Sequence, residues 1–376
     1  MFFRFLDLRA KEPDFNVVVE GVWNVEVQGS PMWRAYKKEE SFWKQKSAVK
    51  WFVEGEVNSR FFHSIVKGRK KRLSLKKMRR DDGNWIEEEK EIAKEAVSFF
   101  QKQFTKDSYV NNFSALNCIR KLIDEANNVM LNAVPTMEEL KGVIPKAITH
   151  TCLIYCLRLS AYSLSKLTSP NQIGFIKGRS ITDNIMMTQD IVHNITKPSP
   201  RGNFVLKLHM TKAYDGVSWE YLFHVLREMG FSECWIESVW RLMSNVWYSI
   251  NINGVRYGFF KSSRGIKQGD PLSPSLFVIG AEILSRLIDS LLESNFISYS
   301  ANKNGPHVTH LYYAADTILF SSCDYAYLRQ MMTNPRVYEQ VSGQLVNKEK
   351  SGFYVTLHDV APTMNDIRII TGLSQC

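Results

Sequence analysis

The sequence predicts a globular chain in which a basic, helix-rich N-terminal region leads into a body of strands and helices. Three observations carry that expectation. Hydrophobic residues make up 44% of the 376 positions and charged residues 23%, with 20 Gly and 12 Pro, the range of a chain that buries a core. Apolar residues recur at helical spacing towards Phe104. Beyond Ser169 the texture changes to short β-rich runs closed by Asp, Asn and Gly. The length suggests roughly two or three domains. The longest apolar runs, such as 276–281, fall far short of the roughly 18–20 residues of a membrane span, so no membrane association is expected.

Residues 39–52 place Phe42, Trp43, Val49 and Phe52 among Lys44, Lys46 and Lys50, an amphipathic helix that Gly55 ends. A second helical stretch, 61–75, runs into nine cations within fourteen residues: Lys67, Arg69, Lys70, Lys71, Arg72, Lys76, Lys77, Arg79 and Arg80. Such a run is either a solvated face or a surface that tracks phosphates. The turn Asp81-Asp82-Gly83-Asn84 follows. From Ile86 the period is helical, with Ile92, Ala96, Phe99, Phe100 and Phe104 on one expected core face and Glu87, Glu88 and Glu89 in the first turn, where the helix dipole favours anions. Residues 106–116 read as a linker, and a short helix is expected over 137–143.

The run 204–210 is β-rich and ends in a turn at Asp215-Gly216. Trp219, Leu222, Val225, Leu226 and Met229 then line one face of a helix that Gly230 stops. Asn253-Gly254 between the runs 247–251 and 255–260 predicts a hairpin. The loop 264–274 opens a strongly apolar helix reaching about Leu292, and 308–314 and 317–320 form two strands around a tight connection. The charge, 48 basic against 38 acidic residues or +10, favours a polyanionic partner such as nucleic acid. Six cysteines without a CxxC pair or zinc spacing read as reduced, mostly buried thiols of an intracellular protein, and no secretory signal opens the chain.

Four blocks stand in order at characteristic intervals: Ser169-Pro170-Asn171-Gln172-Ile173-Gly174-Phe175 continuing through 178–185, then 208–219, 264–274 and 310–320. Together they resemble the reverse transcriptase of LINE-type, non-LTR retrotransposons of the kind abundant in plants. The likeness continues through Ser342-Gly343-Gln344-Leu345-Val346-Asn347 and Lys350-Ser351, and back to Phe42-Trp43-Lys44-Gln45-Lys46 and Asn58-Ser59-Arg60-Phe61-Phe62-His63. It implies an α+β right-hand polymerase: an N-terminal helical basic region over 1–115, shortened fingers over 116–168, a palm with fingers over 169–355, and the start of a thumb over 356–376. It also implies an RNA template and a DNA primer as partners, no small-molecule cofactor, and Mg2+ as the metal.

In that family three aspartates on adjacent strands hold two magnesium ions for nucleotidyl transfer. Here the first position is His209. The Tyr-Ala-Asp-Asp turn reads Tyr313-Ala314-Ala315-Asp316, so Ala315 replaces the second aspartate and Asp316 alone survives. Asp215, six residues past His209, is expected to cap the following helix and not to replace the lost ligand. The resemblance assigns Tyr214 to exclusion of a ribose 2′-hydroxyl, Gln268 and Gly269 to the incoming nucleotide, and Lys350 to the triphosphate. Lys177 and Arg179 join Lys67, Arg69, Lys70, Lys71 and Arg72 as nucleic-acid contacts. The interval between Lys146 and Ser169 is too short for the family's Arg-Pro-Ile block, and the chain stops soon after Lys350. The expectation is therefore a degenerate, truncated copy, catalytically inactive, residing in the nucleus or cytoplasm and lacking an endonuclease that a partner would have to supply. The alternative is a non-catalytic nucleic-acid-binding remnant.

Overall fold

Alternation in the strand that ends at Thr211 organises the fold. The computed structural model describes residues 64, 67–69, 71–105, 112–134, 136, 158–159, 164–193, 195, 202–294, 308–356 and 362–375. They fall into two units, one holding the chain up to Ile92 with Asn251–Arg256, the other Ala93–Ile250 with Tyr257–Cys376. The helices expected over 39–52 and 137–143, and Lys70, lie outside the described residues.

In the first unit residues 67–69 and 71–72 are helical, and Lys67, Arg69, Lys71 and Arg72 are exposed. Strands β1 (Met78–Arg79) and β2 (Trp85–Ile86) pair antiparallel around the turn that Asp81-Asp82-Gly83-Asn84 announces. Asp82 Oδ1 accepts from the Asn84 amide at 2.8 Å, the local Asx bond that makes such residues turn formers. Ile86 is thus a strand residue, and helix α1 starts three residues later, over Glu89–Phe104.

In the second unit, α1 buries Phe104 but leaves Phe99 exposed, against the expected all-core face. Phe99 meets the edge of Phe100, with the Lys212 ammonium 4.7 Å from its centroid. The expected linker ends in a 3-10 turn, Ser114–Cys118, whose Leu116 is buried, so its last residues belong to the core. Helices α2 (Glu125–Asn132), α3 (Leu164–Leu167) and α4 (Ile181–His193) follow. Of the described cysteines, Cys323 is buried, Cys118 half-buried and Cys234 exposed, so burial is not general.

Strand β3 (Asn203–Thr211) leads into α5 (Trp219–Glu228), α6 (Glu233–Ser244), the hairpin β4 (Trp247–Ile252) and β5 (Val255–Lys261), and α7 (Ser273–Asp289). Asn253 and Gly254 both take positive φ, 53° and 96°, the type I′ geometry that suits a twisted two-residue hairpin. Gly230, at φ 95°, ends α5 as expected. The remaining elements are β6 (His310–Tyr313), β7 (Asp316–Ser322), α8 (Tyr325–Ser342), β8 (Leu345–Val346), β9 (Gly352–Thr356), α9 (Met364–Thr371) and β10 (Ser374–Gln375). No helix of the described residues is long and apolar enough to cross a membrane.

The sheet runs β10-β9-β3-β7-β6, with β8 on the far end of β3. All pairs are antiparallel except β10 with β9. Phe204, Leu206, Leu208 and Met210 of β3 point into the main core with α5, α7 and α8. The intervening residues face the other way, where Val205, Leu311 and Phe320 pack with Ile191 of α4. Leu206→Ala, at a fully buried position of the central strand, is expected to lower stability by about 2–5 kcal/mol in urea unfolding. A loss below about 1 kcal/mol would show that this face is not the core.

Candidate active site

Strand alternation puts His209 on the open face of β3, and the antiparallel register sets Asp316 opposite it on β7. His209 Nδ1 donates to Asp316 Oδ1 at 2.5 Å, with the two side chains 31% and 42% exposed, so the pair is reachable from solvent. Both polar groups of the His209 backbone are held from the β8–β9 edge: its amide donates to Ser351 Oγ at 2.9 Å, and its carbonyl accepts from Asn347 N at 2.8 Å. Ala314 and Ala315 form the tight turn between β6 and β7, with Ala314 at φ 61°. The methyl of Ala315 lines a small apolar crevice with Met210, Phe277, Tyr312 and Tyr338.

The segment 169–175 is a brace for that turn. Asn171 O accepts from Tyr312 N, and Asn184 Nδ2 donates to both Asn171 O and Tyr312 O. Tyr313 OH donates to Asn184 O at 2.6 Å. Gly174 lies so close that a Cβ there would come 2.8 Å from Ala314 N, so glycine is required by close approach.

The turn after β3 and the loop 264–269 are laced together. Ile266 N donates to Tyr214 O, Gly265 N to Val217 O, and Trp219 Nε1 to Gly265 O. A Cβ on Gly265 would approach Asp215 O to 2.9 Å. Asp215 does not cap α5; Ser218 does, its hydroxyl accepting from Tyr221 N. The Asp215 carboxylate instead accepts from Gln103 Nε2 at 2.8 Å and Gln268 Nε2 at 3.1 Å. Burial pushes its pKa upward, opposed by Lys212 and the two amides. Tyr214 stacks on Phe277 with centroids 4.8 Å apart, while Gln268, Gly269 and Lys350 are exposed.

Residues 149–367 match the family model described as "Reverse transcriptase (RNA-dependent DNA polymerase)". The chain belongs to the reverse transcriptase family. Relatives include the Retrovirus-related Pol polyprotein from type-2 retrotransposable element R2DM of Drosophila melanogaster, 30% identical over 35% of this chain and 13% of that protein. The Transposon TX1 uncharacterized 149 kDa protein of Xenopus laevis is 26% identical over 56% of this chain and 15% of that one. This reverse transcriptase chain thus spans a small part of either relative. An apo telomerase structure from Candida tropicalis aligns at a TM-score of 0.46 and 12% identity, over 93% of this chain and 70% of that chain.

Reverse transcriptases work with divalent metal, and magnesium demands several oxygen ligands in octahedral array. The strand ends offer one carboxylate, already accepting from an imidazole, beside the methyl of Ala315. No group of three His, Cys, Asp or Glu is placed to hold a metal among the described residues. That donor set does not fit a pair of magnesium ions. Of the expected nucleic-acid contacts, Lys177 is exposed, whereas Arg179 serves the fold. Its guanidinium donates to the carbonyls of Ser165, Thr168, Ser169 and Gln172, fastening the end of α3 to the brace.

Sequence reasoning missed the buried polar network behind this brace, because its members come from three distant segments. Ser169 N donates to Glu282 Oε2 at 2.9 Å, and Arg286 Nε to Glu282 Oε1 at 3.1 Å. Thr309 donates to Asp289, so the 2.8 Å bond between Thr309 Oγ1 and His310 Nδ1 takes its proton from the imidazole. Full burial keeps the ring neutral, and with Nδ1 protonated Nε2 of His310 accepts from Ser285 Oγ at 2.5 Å. Burial lowers its pKa from 6.5 to about 3, and burial raises Glu282 from 4.5 to about 7 against the pull of Ser169 and Arg286. Stability is lost through His310 as pH falls from 6.5 towards 3, since the unfolded chain binds the proton more readily. Through Glu282 stability is lost as pH rises from 4.5 towards 7, since there the folded chain holds the proton. Glu282→Gln abolishes only the second effect. Its melting temperature relative to the unsubstituted chain is expected to rise from pH 5 to pH 8; a flat difference would refute the shift.

Proposed function

We propose that this chain is the reverse transcriptase region of a LINE-type, non-LTR retrotransposon, and that in this copy the centre does not carry out two-metal nucleotidyl transfer. The observation that carries the reading is the His209–Asp316 hydrogen bond at the strand ends where the family's carboxylates meet, with Ala315 beside it. The relatives' non-LTR elements support the origin. Asp316 is then the residual metal ligand, Tyr214, Gln268, Gly269 and Lys350 are the remnants of the nucleotide site, and RNA template with DNA primer is the partner.

Two lost anionic ligands weaken metal binding and transition-state stabilisation together, a loss of about 4 kcal/mol or about a thousandfold in rate at the least. Primer extension on an RNA template with magnesium is the test. The chain as it stands is expected to give no extension, and His209→Asp combined with Ala315→Asp is expected to restore it. Extension by the unsubstituted chain would refute the reading.

The exposed Lys67, Arg69, Lys71 and Arg72 favour a second reading, a binding role that needs no carboxylate site. Affinity for RNA is then expected to fall steeply with salt, and replacing those four cations with Ala should reduce the slope of log affinity against log salt by about 2–4. An unchanged slope would remove the basic run from the interface.

A further inference from the structure

The hairpin β4–β5 has two unlike faces. On one, Tyr248 stacks on Phe104 of α1 at 4.8 Å and 6°, and on Phe260 at 5.9 Å and 26°, while Ile250 is buried. Those contacts seat the strands. On the other, Trp247 and Phe259 stack on each other across the hairpin, centroids 4.9 Å apart and planes within 10°, yet remain 49% and 64% exposed. Two large rings held parallel in water are an unusual surface, since aromatic area is what packing ordinarily removes first.

The surrounding sequence has one sign of charge. Residues 242–269 carry Arg256, Lys261, Arg264 and Lys267 and no Asp or Glu. Lys261 is exposed two residues beyond Phe259 on the same strand, and Ser249 shares the Trp247 side of β4 by strand alternation. Parallel aromatic planes with cations beside them suit unpaired bases on a phosphate backbone: every base offers a π-face to stack, and the lysine meets the phosphates. A duplex hides those faces.

We infer that the Trp247–Phe259 pair, with Lys261, is a stacking site for unpaired RNA, separate from the His209–Asp316 centre. The choice of RNA rests on the family reading above, whose template is RNA; the state of the metal site does not enter. Held on this hairpin, the rings would grip a single strand whether or not the centre turns over.

The test is binding of the full chain to a labelled single-stranded oligoadenylate of about 12 nucleotides, long enough to cross such a platform. A 2-aminopurine substitution reports stacking. Trp247→Ala with Phe259→Ala is expected to weaken binding about tenfold or more and to abolish the 2-aminopurine quenching, while the circular dichroism melt falls by no more than about 4 °C, the cost of one half-exposed cross-strand ring pair. Trp247→Tyr with Phe259→Tyr should keep both. Affinity for a duplex RNA of equal length should change less than twofold. Unaltered single-strand affinity in the alanine variant, an equal loss on duplex, or failure of the tyrosine variant to rescue would overturn the site. Single-stranded DNA bound as tightly, and lost as fully, would overturn the assignment to RNA. If the unsubstituted chain binds no RNA, the nucleic-acid reading falls with it; if it binds and the alanine variant binds equally, this inference alone falls.

Discussion

The backbone ladder between β3 and β7 is the constraint on which the larger unit depends. Its register is fixed because Phe204, Leu206, Leu208 and Met210 must all face the helices; a slip of one residue would turn that whole set to the open side. With the register locked, Leu208 stands opposite Thr317 and His209 opposite Asp316, so the chemistry of the strand ends follows from packing several residues away. β8 and β9 then pair along the outer edge of β3, bringing Asn347 and Ser351 onto the His209 backbone.

At that locked position an imidazole and a carboxylate make a different object from two carboxylates. Like charges at hydrogen-bond distance need a cation between them, whereas histidine and aspartate satisfy each other. The fold does not need a metal to keep these strand ends together: the ladder and the His209–Asp316 bond do so.

The loops around the centre are held by polar groups that surrender their hydration. Asn171, Asn184 and Arg179 brace the β6–β7 turn from one side, and Asp215 with Gln103 and Gln268 ties the loop 264–269 from the other. Behind the brace, Glu282, Ser285 and His310 form a buried network in which nearly every hydrogen bond has an assigned direction, which specifies one arrangement of the loop. Arg179, which reads as a binding group in the sequence, braces the scaffold, because a guanidinium can satisfy several carbonyls at a helix end.

Local chemistry made much of this protein legible in advance. The alternation in 204–210, the apolar face from Trp219 to Met229, the Asn253-Gly254 hairpin and the strands either side of Ala314-Ala315 each rest on contacts within a few residues, and each is present. The blocks at 169–175, 208–219, 264–274 and 310–320 likewise announced the family, since motif spacing is a property of the chain. Other features depended on what lies far away in sequence. Period alone expected strands and turns after Ser169 where α4 forms, put Phe99 in the core, and gave Asp215 to the helix end, although Ser218 is nearer the first free amides and Gln103 reaches Asp215 from 112 residues back. The sequence by itself determined most of the elements, the family and which side chains stand at the strand ends; only the tertiary structure decided which partners the polar groups take, because hydrogen bonds across an interior are set by packing and not by neighbours along the chain.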